Sequence, residues 1–262
     1  RRKNGSIYAE LLTSNAVLAP DGLITHYVCA FSDITQNKEA EAEVHRLAYY
    51  DQLTQFPNRR LLQDRLGQAL VSAQRSGIHG AVLFLDLDNF STFNDTRGHE
   101  AGDQLLTQVA LRLRQTLRNV DTVARPGGDE FVAILEELGE EAEGAAARAR
   151  HLGQQLCGAI AHPYELNGQR YTSTVSVGIC LFHGGETVEQ LLKNAEIAMY
   201  QAKASGRNTV RFFDPEMQAS LDRHSALEND LRQALAHKEL LLYYQPQVDR
   251  SGRILGAEIL LR

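Results

Sequence analysis

The residues best suited to chemistry lie in Arg125-Pro-Gly-Gly-Asp-Glu-Phe131, where paired glycines and paired carboxylates separate two apolar, strand-like runs, Asp121 to Ala124 and Phe131 to Leu135. A hairpin tip is the natural reading. Paired glycines permit positive φ and carry no Cβ to block a bulky ligand, and Asp129 and Glu130 set hard oxygen donors where a divalent cation could hold phosphates. The same residues also serve as plain turn chemistry elsewhere, so the functional reading depends on other stretches that agree with it. Upstream, Gly80 to Leu85 is an apolar, strand-like run ending in Asp86-Leu87-Asp88. Carboxylates at the end of a central strand come within reach of a neighbouring hairpin, so Asp86 and Asp129 are expected to share one or two Mg²⁺ ions.

The elements that must position these groups follow in order. Asn94 to Asp103 is polar and turn-forming, and it leads into an amphipathic helix with Leu105, Val109, Leu113 and Leu117 at helical spacing. The carboxylate of Asp103 is suited to accept from the N1–H and N2–H of a guanine, and the amide of Asn94 to supply complementary polarity. Helices are expected at Asn58 to Gly77, Gly139 to Ala161 and Thr187 to Ser205, and strands at Tyr171 to Phe182 and Arg207 to Phe213.

Together these stretches resemble the GGDEF family of diguanylate cyclases, which join two GTP molecules into cyclic di-GMP. The resemblance runs through Asp51-Gln-Leu-Thr-Gln-Phe-Pro-Asn58-Arg59-Arg60, Asp86-Leu-Asp-Asn-Phe90, Asn94-Asp95, Gly98-His99, Gly102-Asp103, the Gly-Gly-Asp-Glu-Phe tip, and Tyr200-Gln-Ala-Lys203-Ala-Ser-Gly206-Arg207-Asn208. A motif set this dense and this ordered is specific where any one piece is not. It implies an α/β (α+β) domain of the palm or nucleotidyl-cyclase-like kind, with a central, largely antiparallel five-stranded sheet flanked by helices. It also implies Asp86, Asp129 and Glu130 as catalytic carboxylates. Asp86, Asp129 and the Leu87 carbonyl become the expected ligands of Mg²⁺ or Mn²⁺, two ions per GTP. Asn94, His99 and Asp103 fall at nucleotide-recognition positions, and Lys203 and Arg207 match the phosphate-binding cations, their spacing of four placing both on one helical face where the helix persists that far. The general base is one of the motif's carboxylates, with Glu130 placed to help deprotonate the ribose 3′-hydroxyl. Two phosphodiester bonds need two nucleotides face to face, so a homodimer is implied.

One departure touches phosphate chemistry. Where the family has a lysine after Phe90, this chain has Ser91, which offers one neutral hydroxyl in place of an ammonium. Gln55 and Phe56 replace the usual glycine and leucine and bear on packing. Arg118-Asn-Val-Asp121 matches the family's RxxD inhibitory pattern at its usual offset, so Arg118 and Asp121 are expected to bind the product's phosphate or guanine. An active cyclase is the first reading. A catalytically weak GTP- or cyclic di-GMP-binding regulatory module, controlling a following EAL phosphodiesterase, is the alternative.

The flanks extend the resemblance. Residues 1 to 36, with alternating runs around Pro20-Asp-Gly22 and the segment Phe31-Ser-Asp-Ile-Thr35, are similar to the last strands and exit of a PAS sensor domain, most of which is expected to lie outside this chain. Residues 37 to 50 carry Ala40, Val44, Leu47 and Ala48 at helical spacing and are expected to form a signalling helix able to pair with its twin. Residues 51 to 214 are assigned to the GGDEF domain. Residues 215 to 262, including Glu258-Ile-Leu260, resemble the truncated start of an EAL domain, so hydrolysis of cyclic di-GMP is not expected of this stretch.

Composition sets the outer bounds. With 262 residues and 43% hydrophobic content, the chain can bury one good core plus flanking pieces. A formal net charge of -6 argues against nucleic-acid binding and direct contact with an acidic membrane. Cys29, Cys157 and Cys180 have no metal-like spacing, which suits a reducing cytoplasm, although the parent protein could be membrane-attached upstream.

Overall fold

The computed structural model describes residues 5, 7–20, 22–214, 234 and 241–261, with residue 261 described by its backbone alone. The chain divides into two compact units, Arg1–Phe212 and Phe213–Arg262. In chain order the first carries β1 (Glu10–Leu18), β2 (Ile24–Asp33), α1 (Thr35–Tyr49), α2 (Arg59–Ser76), β3 (Gly80–Leu87), α3 (Phe90–Arg97), α4 (His99–Thr116), β4 (Thr122–Gly127), β5 (Glu130–Leu135), α5 (Ala142–Ala161), β6 (Tyr164–Leu166), β7 (Gln169–Tyr171), β8 (Val175–Phe182), α6 (Val188–Ala204) and β9 (Val210–Phe212). The second holds one antiparallel hairpin, β10 (Leu242–Val248) with β11 (Ile254–Leu261). Most of residues 215 to 240, which precede that hairpin within the second unit, lie outside the described residues.

Five strands form the central sheet in the order β4-β5-β3-β8-β9, antiparallel throughout except for the parallel pair β8 and β9. β3 is buried along its whole length, as a middle strand covered on both faces must be. Side chains alternate across the sheet, so Leu83, Leu85, Phe131, Ala133, Val177 and Ile179 share one core with α4 and α5. The other face is closed by α2 and α6. There Gly178 leaves no gap: a Cβ built on it would sit 2.0 Å from the Ala195 carbonyl oxygen of α6.

Local signals set the boundaries of these elements. Asn58 caps α2 by accepting from the backbone N–H groups of Arg60 and Leu61, and Gly77 ends it in the left-handed region. Thr187 and Gln190 form a capping box at the start of α6. Asn167 and Gly168, both at positive φ, turn the β6–β7 hairpin.

Several boundaries differ from the sequence reading. Asn94 to Asp103 is not a turn but parts of α3 and α4, bent only at Gly98. The expected strand Tyr171 to Phe182 is two strands, because Thr172 to Thr174 leaves the ladder to reach the end of β3. α5 begins at Ala142, since Gly139 sits at φ 108° outside the helical region. The last sheet strand is limited to Val210–Phe212, because Arg207 and Asn208 are in left-handed turn geometry. No described helix is long and apolar enough to cross a membrane.

Candidate functional site

Every element that bears a candidate catalytic group ends at one edge of the sheet. β3 brings Asp86 there, and antiparallel pairing sets it directly opposite Glu130 on β5. Paired residues project to the same face, which is the face that α2 and α6 cover. The β4–β5 turn closes over Gly128 and Asp129, with Gly127 paired to Glu130 and Gly128 at φ 54°. The Asp129 carbonyl oxygen accepts from the Leu87 N–H at 3.4 Å, which places the turn beside the end of β3. The three acidic residues expected from sequence are therefore brought together.

The surroundings of Asp86 and Glu130 resist negative charge. Burial and then neighbouring carboxylates push the Asp86 carboxyl above its ordinary value, with Lys203 opposing. Burial pushes Glu130 up too, aided by Glu196, Asp86 and Asp129 and opposed by Arg59. Clustered carboxylates of this kind favour a bound cation. Lys203 on α6 partly fills that role, its Nζ 2.6 Å from Asp86 Oδ1 in an ion pair without well-aligned hydrogen-bond angles. No three His, Cys, Asp or Glu side chains among the described residues form a ready-made metal cage. Two carboxylates and a carbonyl nonetheless suit Mg²⁺, which usually takes one or two protein carboxylates and completes its shell with substrate phosphates and water.

Arg207 reaches this edge by a route the sequence did not show. α6 stops at Ala204, so the spacing of four does not stack Lys203 and Arg207 on one helical face. Instead Gly206, Arg207 and Asn208 all take positive φ, and the Asn208 N–H is held by Asp88 Oδ2 at 3.1 Å. Asp88 is buried, and it also accepts from the Thr174 hydroxyl at 2.6 Å and the Ser176 hydroxyl at 2.7 Å. It ties together the end of β3, the start of β8 and the turn after α6.

The nucleotide-recognition candidates sit on α3 and α4. Asn94 Oδ1 is buried with no hydrogen-bond partner, and a Cβ on Gly102 would lie 2.0 Å from it, so glycine is what makes room for the amide. His99 and Asp103 are exposed on the first turns of α4, and Ser91 is exposed on the first turn of α3.

A clamp absent from the sequence reading holds the turn. Arg125 is 9% exposed; its Nε and Nη2 donate to the Gly128 carbonyl at 3.0 and 2.6 Å, and its Nη1 donates to both Asp51 carboxylate oxygens at 2.9 and 3.1 Å. Burial works against ionisation of Asp51, but the Thr54 and Arg125 hydrogen bonds outweigh it and hold that carboxyl below its ordinary value. The signal lay in Asp51-Gln-Leu-Thr54 and in the arginine ahead of the glycines, two motifs that sequence alone does not pair.

Arg118 and Asp121 lie beyond the opposite end of β4, which over six residues spans roughly 20 Å at about 3.3 Å each. They are locked to each other: Arg118 Nε and Nη2 donate to the two Asp121 carboxylate oxygens at 3.1 and 2.8 Å, and the Asp121 side chain is fully covered. An open cleft beside them is lined also by Phe56, Arg65 and Arg114.

The chain as a whole is similar to known proteins. A family profile described as diguanylate cyclase, GGDEF domain, matches residues 48–209. The bifunctional diguanylate cyclase/cyclic di-GMP phosphodiesterase MucR of Pseudomonas aeruginosa is 44% identical over 230 residues, covering 87% of this chain and 33% of MucR. The cyclic di-GMP phosphodiesterase NbdA of the same organism is 40% identical over 231 residues, covering 87% of this chain and 29% of NbdA. This chain thus spans about a third of the length of such relatives. Among solved structures, the GGDEF domain of P. aeruginosa TpbB (YfiN) superposes with a TM-score of 0.62 at 36% identity, covering 66% of this chain and 99% of that one. The coiled coil and GGDEF domain of Caulobacter crescentus DgcB, in complex with c-di-GMP, gives 0.61 at 28% identity, covering 68% and 93%.

Proposed function

The chain belongs to the GGDEF family of diguanylate cyclase domains, and from that premise we propose that it condenses two GTP molecules into cyclic di-GMP with release of two pyrophosphates. The observation that carries this reading is the convergence of Asp86, Asp129 and Glu130 at one sheet edge, beside Lys203. Each 3′-oxygen attacks the α-phosphorus of the facing nucleotide, a new P–O bond forms as the bond to pyrophosphate breaks, and the hydroxyl proton passes to a carboxylate, Glu130 being the one we favour. The raised affinity of Glu130 for protons suits that task. Asn94 and Asp103, with His99 alongside, hold the guanine. Lys203, Arg207 and Ser91 hold the phosphates. Mg²⁺ or Mn²⁺, two per GTP, held by Asp86, Asp129 and the Leu87 carbonyl, would neutralise the phosphates and polarise the α-phosphoryl group. Since one site holds one nucleotide, the working form is a homodimer, and exposed Val44 and Leu47 on α1 give the signalling helix an apolar stripe for its twin.

We assign residues 1–36 to the end of a PAS domain, 37–50 to the linker helix, 51–214 to the GGDEF domain and 215–262 to the start of an EAL domain; hairpin β10–β11, with Glu258 opposite Gln245, belongs to the last. Incubation with GTP and Mg²⁺ followed by nucleotide chromatography tests the central claim, and recovery of GTP alone would overturn it. The regulatory reading has its own support: the neutral Ser91, the Lys203–Asp86 pair that nucleotide must reorganise, and relatives named as phosphodiesterases. A chain that binds GTP or cyclic di-GMP without turnover would establish it.

Product inhibition through Arg118 and Asp121 is part of the proposal, and it requires the pair to open so that the guanidinium can fork onto a phosphate. Arg118→Ala removes that donor set. Calorimetric titration with cyclic di-GMP should show binding weakened by tenfold or more, on the order of 1.5 to 3 kcal/mol for hydrogen bonds to a charged group. Equal affinity in parent and variant would remove the site from the mechanism.

A further inference from the structure

The motif Asn58-Arg59-Arg60 has only part of its sequence accounted for. Asn58 caps α2, and the Arg60 guanidinium stacks over the Tyr49 ring at 4.9 Å. Arg59 is exposed, and its side chain has no hydrogen-bond or ion-pair partner among the described residues. Its place in the fold is distinctive. α2 and α6 cover the same face of the sheet, which is the face that carries Asp86 and Glu130. α6 ends at the carboxylates and delivers Lys203 there, whereas α2 begins there: the Pro57 carbonyl accepts from the Arg125 N–H, next to the β4–β5 turn. The start of α2, which bears Arg59, and the end of α6, which bears Lys203, therefore lie at the same end of the sheet as the carboxylates. The pull of Arg59 on the Glu130 carboxyl agrees with that placement.

Resting on the cyclase reading, we propose that Arg59 contacts the nucleotide phosphates and supplies the positive charge that Ser91 withholds. A guanidinium suits this work because it stays charged and offers forked N–H donors to phosphate oxygens. A solvated arginine at the helix start is free to turn toward an incoming polyphosphate without breaking an existing pair.

A double-mutant cycle with Arg59→Ala and Ser91→Lys tests the proposal, with Arg59→Lys as the conservative variant. Steady-state kinetics and calorimetric binding of GTP with Mg²⁺ are measured on proteins of matched melting temperature and dimer content. Arg59→Ala is expected to lower kcat/KM at least tenfold and to weaken GTP binding, with Arg59→Lys retaining most of both. Ser91→Lys is expected to raise kcat/KM about tenfold in the Arg59→Ala background and by less in the parent. Parental activity and affinity in Arg59→Ala, or the same gain from Ser91→Lys in both backgrounds, would overturn it. A parent that binds GTP without making product overturns the cyclase reading alone, because the affinities of the four proteins then decide the role of Arg59. A parent that binds no GTP overturns both.

Discussion

Asp129→Ala should reduce formation of cyclic di-GMP by about a thousandfold while leaving the fold intact. The size of the loss reflects the work asked of the side chain. A group that stabilises charge only as it develops at the reacting phosphoryl contributes on the order of 4 kcal/mol, and each 1.36 kcal/mol is about tenfold in rate. The intact fold is expected from the position of the residue. Asp129 stands at the tip of the β4–β5 turn, half-buried, and contributes its backbone carbonyl to the contact with Leu87, which alanine keeps. Its charge also acts on its neighbours. After burial, the Asp129 carboxylate is among the causes that push Asp86 and Glu130 above their ordinary values, so its removal relieves like-charge repulsion. The variant should melt no lower than the parent in the absence of nucleotide. Product at the parent rate would refute the assignment of Asp129. A lowered melting temperature would show that the lost activity came from misfolding instead. Asp86→Ala is the less clean experiment, because it also strands Lys203.

How far such a site is legible from sequence depends on how local its determinants are. Asp86, Asp129 and Glu130 stand at the ends of apolar runs whose pairing brings them together, so strand periodicity and turn residues were enough to place them. The five-stranded, largely antiparallel sheet came from the same signals together with the family resemblance. Arg125 and Asp51 are separated by 74 positions, and only the folded chain shows that the two motifs form one clamp. Asn94 to Asp103 reads as a turn because Asn, Asp, Thr and Gly favour turns. In the fold, Gly102 lets α4 approach α3 closely enough to bury the Asn94 amide, and packing overrides propensity. The helical stacking expected for Lys203 and Arg207 failed for a related reason: Gly206 lets the chain leave α6, and a carboxylate far away in sequence captures the Asn208 N–H two residues later.

That carboxylate is Asp88, and its removal should be the most destabilising single change near the site. Sequence motifs place it beside Asp86 as though the two were equivalent, yet their surroundings differ. Asp86 faces Lys203 and the acidic cluster, whereas Asp88 accepts hydrogen bonds from Thr174, Ser176 and the Asn208 N–H, at separations of 86, 88 and 120 positions. Asp88→Ala leaves these three donors without that acceptor, the Ser176 hydroxyl in a buried place and the Thr174 hydroxyl and Asn208 N–H in part-buried ones. An orphaned buried donor costs about 1 to 3 kcal/mol, and relief from burying the carboxylate offsets part of the sum, so a net loss of about 3 kcal/mol is expected. In a domain of this size about 1 kcal/mol corresponds to roughly 2 to 4 °C, so the melting temperature should fall by roughly 6 to 12 °C. Asp88→Asn, which keeps the shape and one acceptor oxygen, should lose less than half as much. Function should track structure here: with Asn208 released, the left-handed turn that carries Arg207 loses its anchor, and KM for GTP should rise even at temperatures where the variant is fully folded. Differential scanning calorimetry on parent, Asp88→Ala and Asp88→Asn measures the first effect and steady-state kinetics the second. An alanine variant that melts within about 2 °C of the parent, the shift expected for less than 1 kcal/mol, would mean that water replaces the carboxylate without cost, and that the phosphate-binding turn is held by something other than Asp88.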